Sequence, residues 1–323
     1  MRHHPGVPPV APEVIRRRRL SALGVVGGVA LLAGMAIGAG AGDDGAGDEG
    51  RSANAAQRAE AAPPQLPRGG RSIFPGHRVV AYYGAPQAAE LGALGIGSPD
   101  SAGRRLRLQA APYARKTRPV LPAMELIATI ANAHPGADGM YRTQQPPSVI
   151  RRYLRAARRA KALLILDIQP GHADFMDEVK RLDRWLREPD VGLALDPEWH
   201  TPGAQPGTVI GSVDAADVNE VARHVARIVR RHNLPEKLFV VHQFTEDMVR
   251  DKQLVGQPRG LAVTMNVDGF GTRPAKVSKY RLFTNDGKRF HDGFKLFYRE
   301  DTGLMKPRSV LALQPPPDLI VYE

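Results

Sequence analysis

Eight short apolar runs, spaced through residues 76–323 and parted by helical or polar stretches, restrict the fold of this chain more than any other feature. They occupy 78–84, 120–131, 162–169, 192–199, 238–244, 260–268, 293–298 and 309–314. Runs of this length, rich in Val, Ile, Leu and Ala, suit strands buried on both faces. Between them, 148–161, 175–187 and 214–232 carry apolar residues at three-and-four spacing with basic residues on the other faces. In the last of these, Val218, Val221, Val225, Ile228 and Val229 make one stripe, and Asp214 stands where an N-cap is expected. Strands alternating with helices over about 250 residues predict an α/β fold, a (β/α)8 TIM barrel. The stretches after the fifth, sixth and seventh runs (246–253, 276–283 and 303–306) are shorter, which keeps a doubly wound open sheet as the alternative. Such a sheet binds dinucleotides through a glycine-rich turn, and Tyr83-Gly84-Ala85-Pro86 after the first run lacks one.

Barrel enzymes gather their chemistry at the C-terminal ends of the strands. The first run ends in Tyr82-Tyr83-Gly84, the third in Asp167-Ile168-Gln169 and the fourth in Asp196-Pro197-Glu198-Trp199. The fifth ends in His242-Gln243, the sixth in Asn266-Val267-Asp268 and the eighth in Gln314. Charged groups at an apolar mouth are costly unless paired or used. The predicted site therefore comprises Tyr82, Tyr83, Asp167, Gln169, Asp196, Glu198, Trp199, Gln243, Asn266 and Asp268. Asp196 and Glu198, two positions apart on a strand, would share one face. Two carboxyls in one low-dielectric site cannot both ionise freely, so one becomes a proton donor, an arrangement suited to glycoside hydrolysis. The alternative is a strand end whose acids cap a helix or pair with nearby arginines.

The segment Gly192-Leu193-Ala194-Leu195-Asp196-Pro197-Glu198-Trp199 resembles the fourth-strand signature of family 18 glycoside hydrolases, the chitinase-like barrels, which reads Asp-Gly-hydrophobic-Asp-hydrophobic-Asp-x-Glu. Asp196 and Glu198 match the last two acids, while Val191 and Ala194 occupy the two earlier acidic positions. Arg78-Val79-Val80-Ala81-Tyr82-Tyr83 is similar to the opening strand of those enzymes, and Asn266-Val267-Asp268-Gly269-Phe270 to their sixth-strand site. The resemblance implies that Glu198 protonates the glycosidic oxygen while Asp196 steadies an N-acetyl group acting as internal nucleophile. Gln314 falls where those enzymes place a Trp floor for the sugar. A partial similarity to family 25 lysozymes rests on the same Asp-x-Glu pair, with Tyr82 and Tyr83 standing where they carry a first-strand Asp.

Composition and the N-terminus set the surroundings. Arg16 to Arg19 precede an uncharged, Gly/Ala/Val/Leu-rich stretch over 20–40, long enough to span a bilayer. Residues 1–41 are expected to be a signal anchor or a cleaved signal peptide, with 42–75 a disordered Ala/Gly/Pro-rich linker and 76–323 an extracytoplasmic barrel, membrane-anchored or secreted. The chain has no Cys, which excludes thiol nucleophiles, zinc–thiolate sites and disulfides. Its formal charge of +12 points to anionic envelope partners. Export and the lack of a binding motif argue against nucleic acid. His172, His200 and His242 lie near strand ends, yet no His-x-His spacing fixes a coordination set, and no metal or cofactor is expected. The resulting expectation is a glycoside hydrolase acting on cell-wall polysaccharide, peptidoglycan or another N-acetylated glycan, with Glu198 as general acid. The alternatives are a non-catalytic glycan- or envelope-binding barrel and a metal-dependent hydrolase. Oligomeric state is not encoded in any of these patterns.

Overall fold

The structure, a computed structural model, describes residues 62–284 and 289–323. Eight parallel strands close into a barrel: β1 (Arg78–Gly84), β2 (Val120–Ala131), β3 (Leu163–Ile168), β4 (Val191–Leu195), β5 (Lys237–Gln243), β6 (Leu261–Val267), β7 (His291–Leu296) and β8 (Leu319–Tyr322). Each pairs with its successor, and β8 returns to β1 in a register running from Leu319 on Val79 to Tyr322 on Tyr82. The fold is a TIM-like α/β barrel. The outer helices are α1 (Pro99–Ala110), α2 (Pro147–Arg159), α3 (Phe175–Leu186), α4 (Ala215–Arg231), α5 (Arg273–Phe283) and α6 (Pro307–Leu311). Between β5 and β6 only a single tight turn, Lys252–Leu254, takes the place of a helix.

Strand alternation divides the core in two. Inward side chains such as Val79, Ala81, Leu121, Ala123, Ile165, Val240 and Val321 fill the barrel. Outward ones such as Leu164, Leu193, Phe239, Val241 and Val263 pack against the helices. On α4 the stripe of Val218, Val221, Val225, Ile228 and Val229 is buried against the barrel, as its spacing requires. The arginines of α2 are exposed, and two of them form ion pairs, Arg158 with Glu188 and Asp190 and Arg159 with Asp100. Asp214 does sit at the N-cap of α4, but its carboxylate binds Arg250 rather than the helix N–H groups.

Two boundaries differ from the sequence expectation. Residues 309–314 are not the eighth strand. Pro307 opens the short helix α6, where a missing N–H costs nothing, and Pro315, Pro316 and Pro317 then lack the donors a strand ladder needs. The closing strand is the later four-residue run Leu319–Tyr322. The folded unit also begins before residue 76. Leu66, Ile73 and Phe74 join the inner core, and Arg71 donates to the carbonyls of Asn233 and Leu234 at 3.1 and 2.9 Å. The apolar segment at 20–40 and the first part of the expected linker lie outside the described residues. Among the described residues no helix is long and apolar enough to cross a membrane.

Candidate functional site

Toward the C-terminal ends of the strands the inward positions turn from apolar to polar. Tyr83 comes from β1, Glu125 from β2, Asp167 from β3, Asp196 from the residue after β4, His242 from β5, Asn266 from β6 and Lys295 from β7. Gln169, Asp268 and Glu323 follow just beyond β3, β6 and β8. All but Glu323 are buried. Buried polar groups of this density must bond to one another, and most of them do.

His242 sits at the centre. Its Nε2 lies 3.0 Å from Glu125 Oε1 and 3.8 Å from Asp167 Oδ1, and its Nδ1 lies 3.1 Å from Asp268 Oδ2. Lys295 Nζ donates to Asp268 Oδ2 at 3.0 Å, pairs with Glu323 Oε2 at 2.8 Å and rests 3.8 Å from the centroid of the Tyr83 ring. The Tyr83 hydroxyl accepts from Gln169 Nε2 at 2.9 Å and reaches Oδ2 of both Asp167 and Asp196, at 3.2 and 3.4 Å.

The electrostatics follow from five acids meeting one lysine and one histidine out of water. Burial, reinforced by the neighbouring Asp196, holds the Asp167 carboxyl well above the usual carboxylate range. Burial pushes Asp196 up to about 7, with Glu198 adding to the rise and His242 opposing it. Burial would also raise Asp268, but Lys295 and His242 more than offset it and hold this carboxyl far below its ordinary value. The His242 imidazole is raised despite burial, because Asp268 and Glu125 accept from it. Burial disfavours the Lys295 ammonium, yet Asp268 and Glu323 keep it firmly charged.

Above this layer opens a pocket of about 260 Å³. Of the residues predicted from sequence, Tyr83, Gln169, Asp196, Glu198, Trp199 and Asp268 line it, joined by Phe244, Phe270, Phe297 and Lys295. Asp167 and Asn266 are buried in the network and do not line the pocket. Two predicted residues leave the site. Tyr82, one position from Tyr83, points outward by strand alternation, and its ring packs edge-on against Tyr298 and Tyr322. Gln243 likewise turns from the axis, and its Nε2 donates to the carbonyls of Thr245 and Glu246 in the loop after β5.

Asp196 and Glu198 reach the pocket by a different route from the one their spacing implied. The strand ends at Leu195, and Pro197–Trp199 forms a tight 3-10 turn, so the two acids do not share a strand face. Asp196 points in line with Gly192 and Ala194, while Glu198 is carried on the turn, half-buried at the wall. The two positions where the chain departs from the family 18 signature also face opposite ways, with Val191 in the outer core and Ala194 in the inner one.

Metal-compatible geometry exists among the described residues only at Glu125, Asp167 and His242, whose ligand atoms lie within 4.8 Å of one another. His172 and His200 are elsewhere engaged, their ring nitrogens bonded to the carbonyls of Ala204 and Ser212. Glu125, Lys295 and Glu323 went unnoticed in the sequence. A lone Glu inside the apolar run Val120–Ala131 was the available sign of the first, since an acid there has to be used or paired. Lys295, between Gly293 and Phe297 on the inward parity of β7, was the sign of the second. No protein-family model matches the chain, and no curated protein matches it in sequence.

Proposed function

We propose that the barrel is an extracytoplasmic glycoside hydrolase acting on an N-acetylated or cell-wall glycan, with Glu198 as general acid and Asp196 as the group that orients the N-acetyl nucleophile. The observation that carries this reading is the meeting of both carboxyls in one pocket walled by Trp199, Tyr83, Phe244, Phe270 and Phe297. Aromatic faces stack on the apolar faces of sugar rings, and an acid on the wall can reach an exocyclic oxygen. Substrate assistance requires no second carboxylate nucleophile, so one acid on the pocket wall beside a buried partner suffices. The charge of the chain and the apolar segment at 20–40 support a place at the envelope, tethered to the membrane or released from it.

The second reading, a glycan-binding barrel without turnover, is favoured by one detail. Asp196 already spends an oxygen on Tyr83, and the upstream acids that accompany such an Asp in family 18 are absent. The two readings separate in one experiment. The full chain in detergent is incubated with chitooligosaccharides and with peptidoglycan, and released reducing ends are followed for wild type and Glu198→Gln. Hydrolysis lost in a folded Glu198→Gln protein is the expected result, a drop on the order of a hundredfold or more for removal of a general acid. Hydrolysis that survives the substitution refutes the assignment, and saturable binding without any hydrolysis by the wild type establishes the second reading.

A further inference from the structure

We propose that Glu125, Asp167 and His242 form a binding site for one divalent first-row transition-metal ion, set in the barrel interior beneath the pocket. The three side chains come from β2, β3 and β5, are inward, and are wholly buried. Bonds of about 2.1 Å to a shared ion place neighbouring ligand atoms roughly 3.0–3.4 Å apart in octahedral or tetrahedral coordination. The separation from His242 Nε2 to Glu125 Oε1, 3.0 Å, falls at the short end of that span, and that to Asp167 Oδ1, 3.8 Å, lies just beyond it, a gap that a small rotation of the Asp167 carboxyl closes.

The surroundings of His242 point the same way. An imidazole that binds metal through one nitrogen characteristically donates the other N–H to a carboxylate, which fixes its tautomer and strengthens it as a ligand. His242 Nδ1 faces Asp268 Oδ2, and Lys295 in turn holds Asp268. Tyr83 does the equivalent for Asp167, engaging Oδ2 and leaving Oδ1 toward His242.

A second, independent observation concerns lone pairs. Glu125 Oε2 and Asp167 Oδ1 are buried and have no hydrogen-bond partner. Carboxylate oxygens left so in the interior carry a desolvation cost that protein contacts here do not offset. A cation held by His242 Nε2, by Asp167 Oδ1 and by both oxygens of Glu125 would satisfy the two orphaned atoms and reduce the imbalance of five acids against Lys295 and His242. One imidazole with two carboxylates favours zinc, manganese or iron over calcium and magnesium, which prefer all-oxygen sets. Because neither Glu125 nor His242 lines the pocket, the ion would act on the site through position, holding Asp167 and so the Tyr83 hydroxyl that bridges to Asp196.

This inference does not depend on the hydrolase reading, and its test does not use hydrolysis. The full chain is purified without chelator and its metal content measured by plasma mass spectrometry, and thermal unfolding is then followed before and after chelation and on re-addition of Zn²⁺ or Mn²⁺. The expected result is one equivalent of metal per chain, a melting temperature lowered by chelator and restored by the ion, and loss of the metal in Glu125→Gln and Asp167→Asn. Circular dichroism shows whether those variants fold. If they do not, calorimetric titration of chelator-stripped wild type with Zn²⁺ and Mn²⁺ decides. No uptake by folded, stripped wild type overturns the proposal, as does undiminished metal in folded variants.

Discussion

Lys237 opens β5 with its ammonium buried, donating to the carbonyls of Glu188 and Val191 at 2.7 Å each. Burial lowers its pKa from 10.5 to about 7, against the pull of Asp190 and Glu188 in the other direction. Proton linkage turns this into a pH dependence of stability. Below pH 7 the folded and unfolded chains both hold the proton, and the group contributes nothing to the slope. Between pH 7 and 10.5 the unfolded chain holds more protons than the folded one, so stability gains with rising pH. Above 10.5 both are neutral and the gain is complete. At 1.36 kcal/mol per tenfold, the whole window is worth about 5 kcal/mol. Urea unfolding of wild type and Lys237→Met at pH 6 to 10 isolates the effect, because the other titrating groups are common to both chains. The wild-type stability minus that of the variant is expected to climb steadily from pH 7 upward, by over 1 kcal/mol per pH unit once well inside the window. A difference that stays flat across that range, or falls, would refute the assignment of a strongly depressed, buried ammonium.

Two further substitutions test the barrel interior. Gly293 lies against Asn266, and an added Cβ would stand 2.5 Å from its Oδ1 and 2.9 Å from its Cα. Gly293→Ala should therefore cost about 1–3 kcal/mol in urea unfolding through overpacking, and an unchanged midpoint would mean that β6 and β7 are not so closely apposed there. Tyr83→Phe removes the hydroxyl that accepts from Gln169 and serves Asp167 and Asp196. A loss of about 1–3 kcal/mol is expected for stranding buried polar partners, and a neutral outcome by the same measurement would show that the three do not rely on it.

Seven of the eight strands were legible because a buried parallel strand writes itself as a compact apolar run. The eighth was misplaced because Ser309 to Gln314 is a longer run with as many apolar residues as the true strand Leu319–Tyr322, and its capacity for helix beside Pro307 outweighed its hydrophobicity. Strand alternation separates the inward residues from the outward ones. Counting inward positions from Val79 and Ala81 leads to Tyr83 and dismisses Tyr82, and the same count from Leu238 reaches His242 and dismisses Gln243. The turn at Pro197 could not be read from spacing, since the sequence does not show whether a strand continues past Asp196. The pairing of Lys295 with Glu323 and of His242 with Glu125 joins residues from strands distant in the chain, and only the closed barrel brings them together.

The join between β1 and β8 carries a kinetic consequence. Val79 and Leu319 are partners about 240 positions apart, and the loop-closure entropy of that contact is among the largest the fold has to overcome. Until it forms, the sheet has two exposed edges and an open seam, and Glu323 has no fixed place beside Lys295. The polar layer at the barrel mouth is then incomplete, so the pocket should be assembled late in folding. A chain caught before closure would display unpaired strand edges to its neighbours, which makes the seam the point at which this barrel is most vulnerable to aggregation.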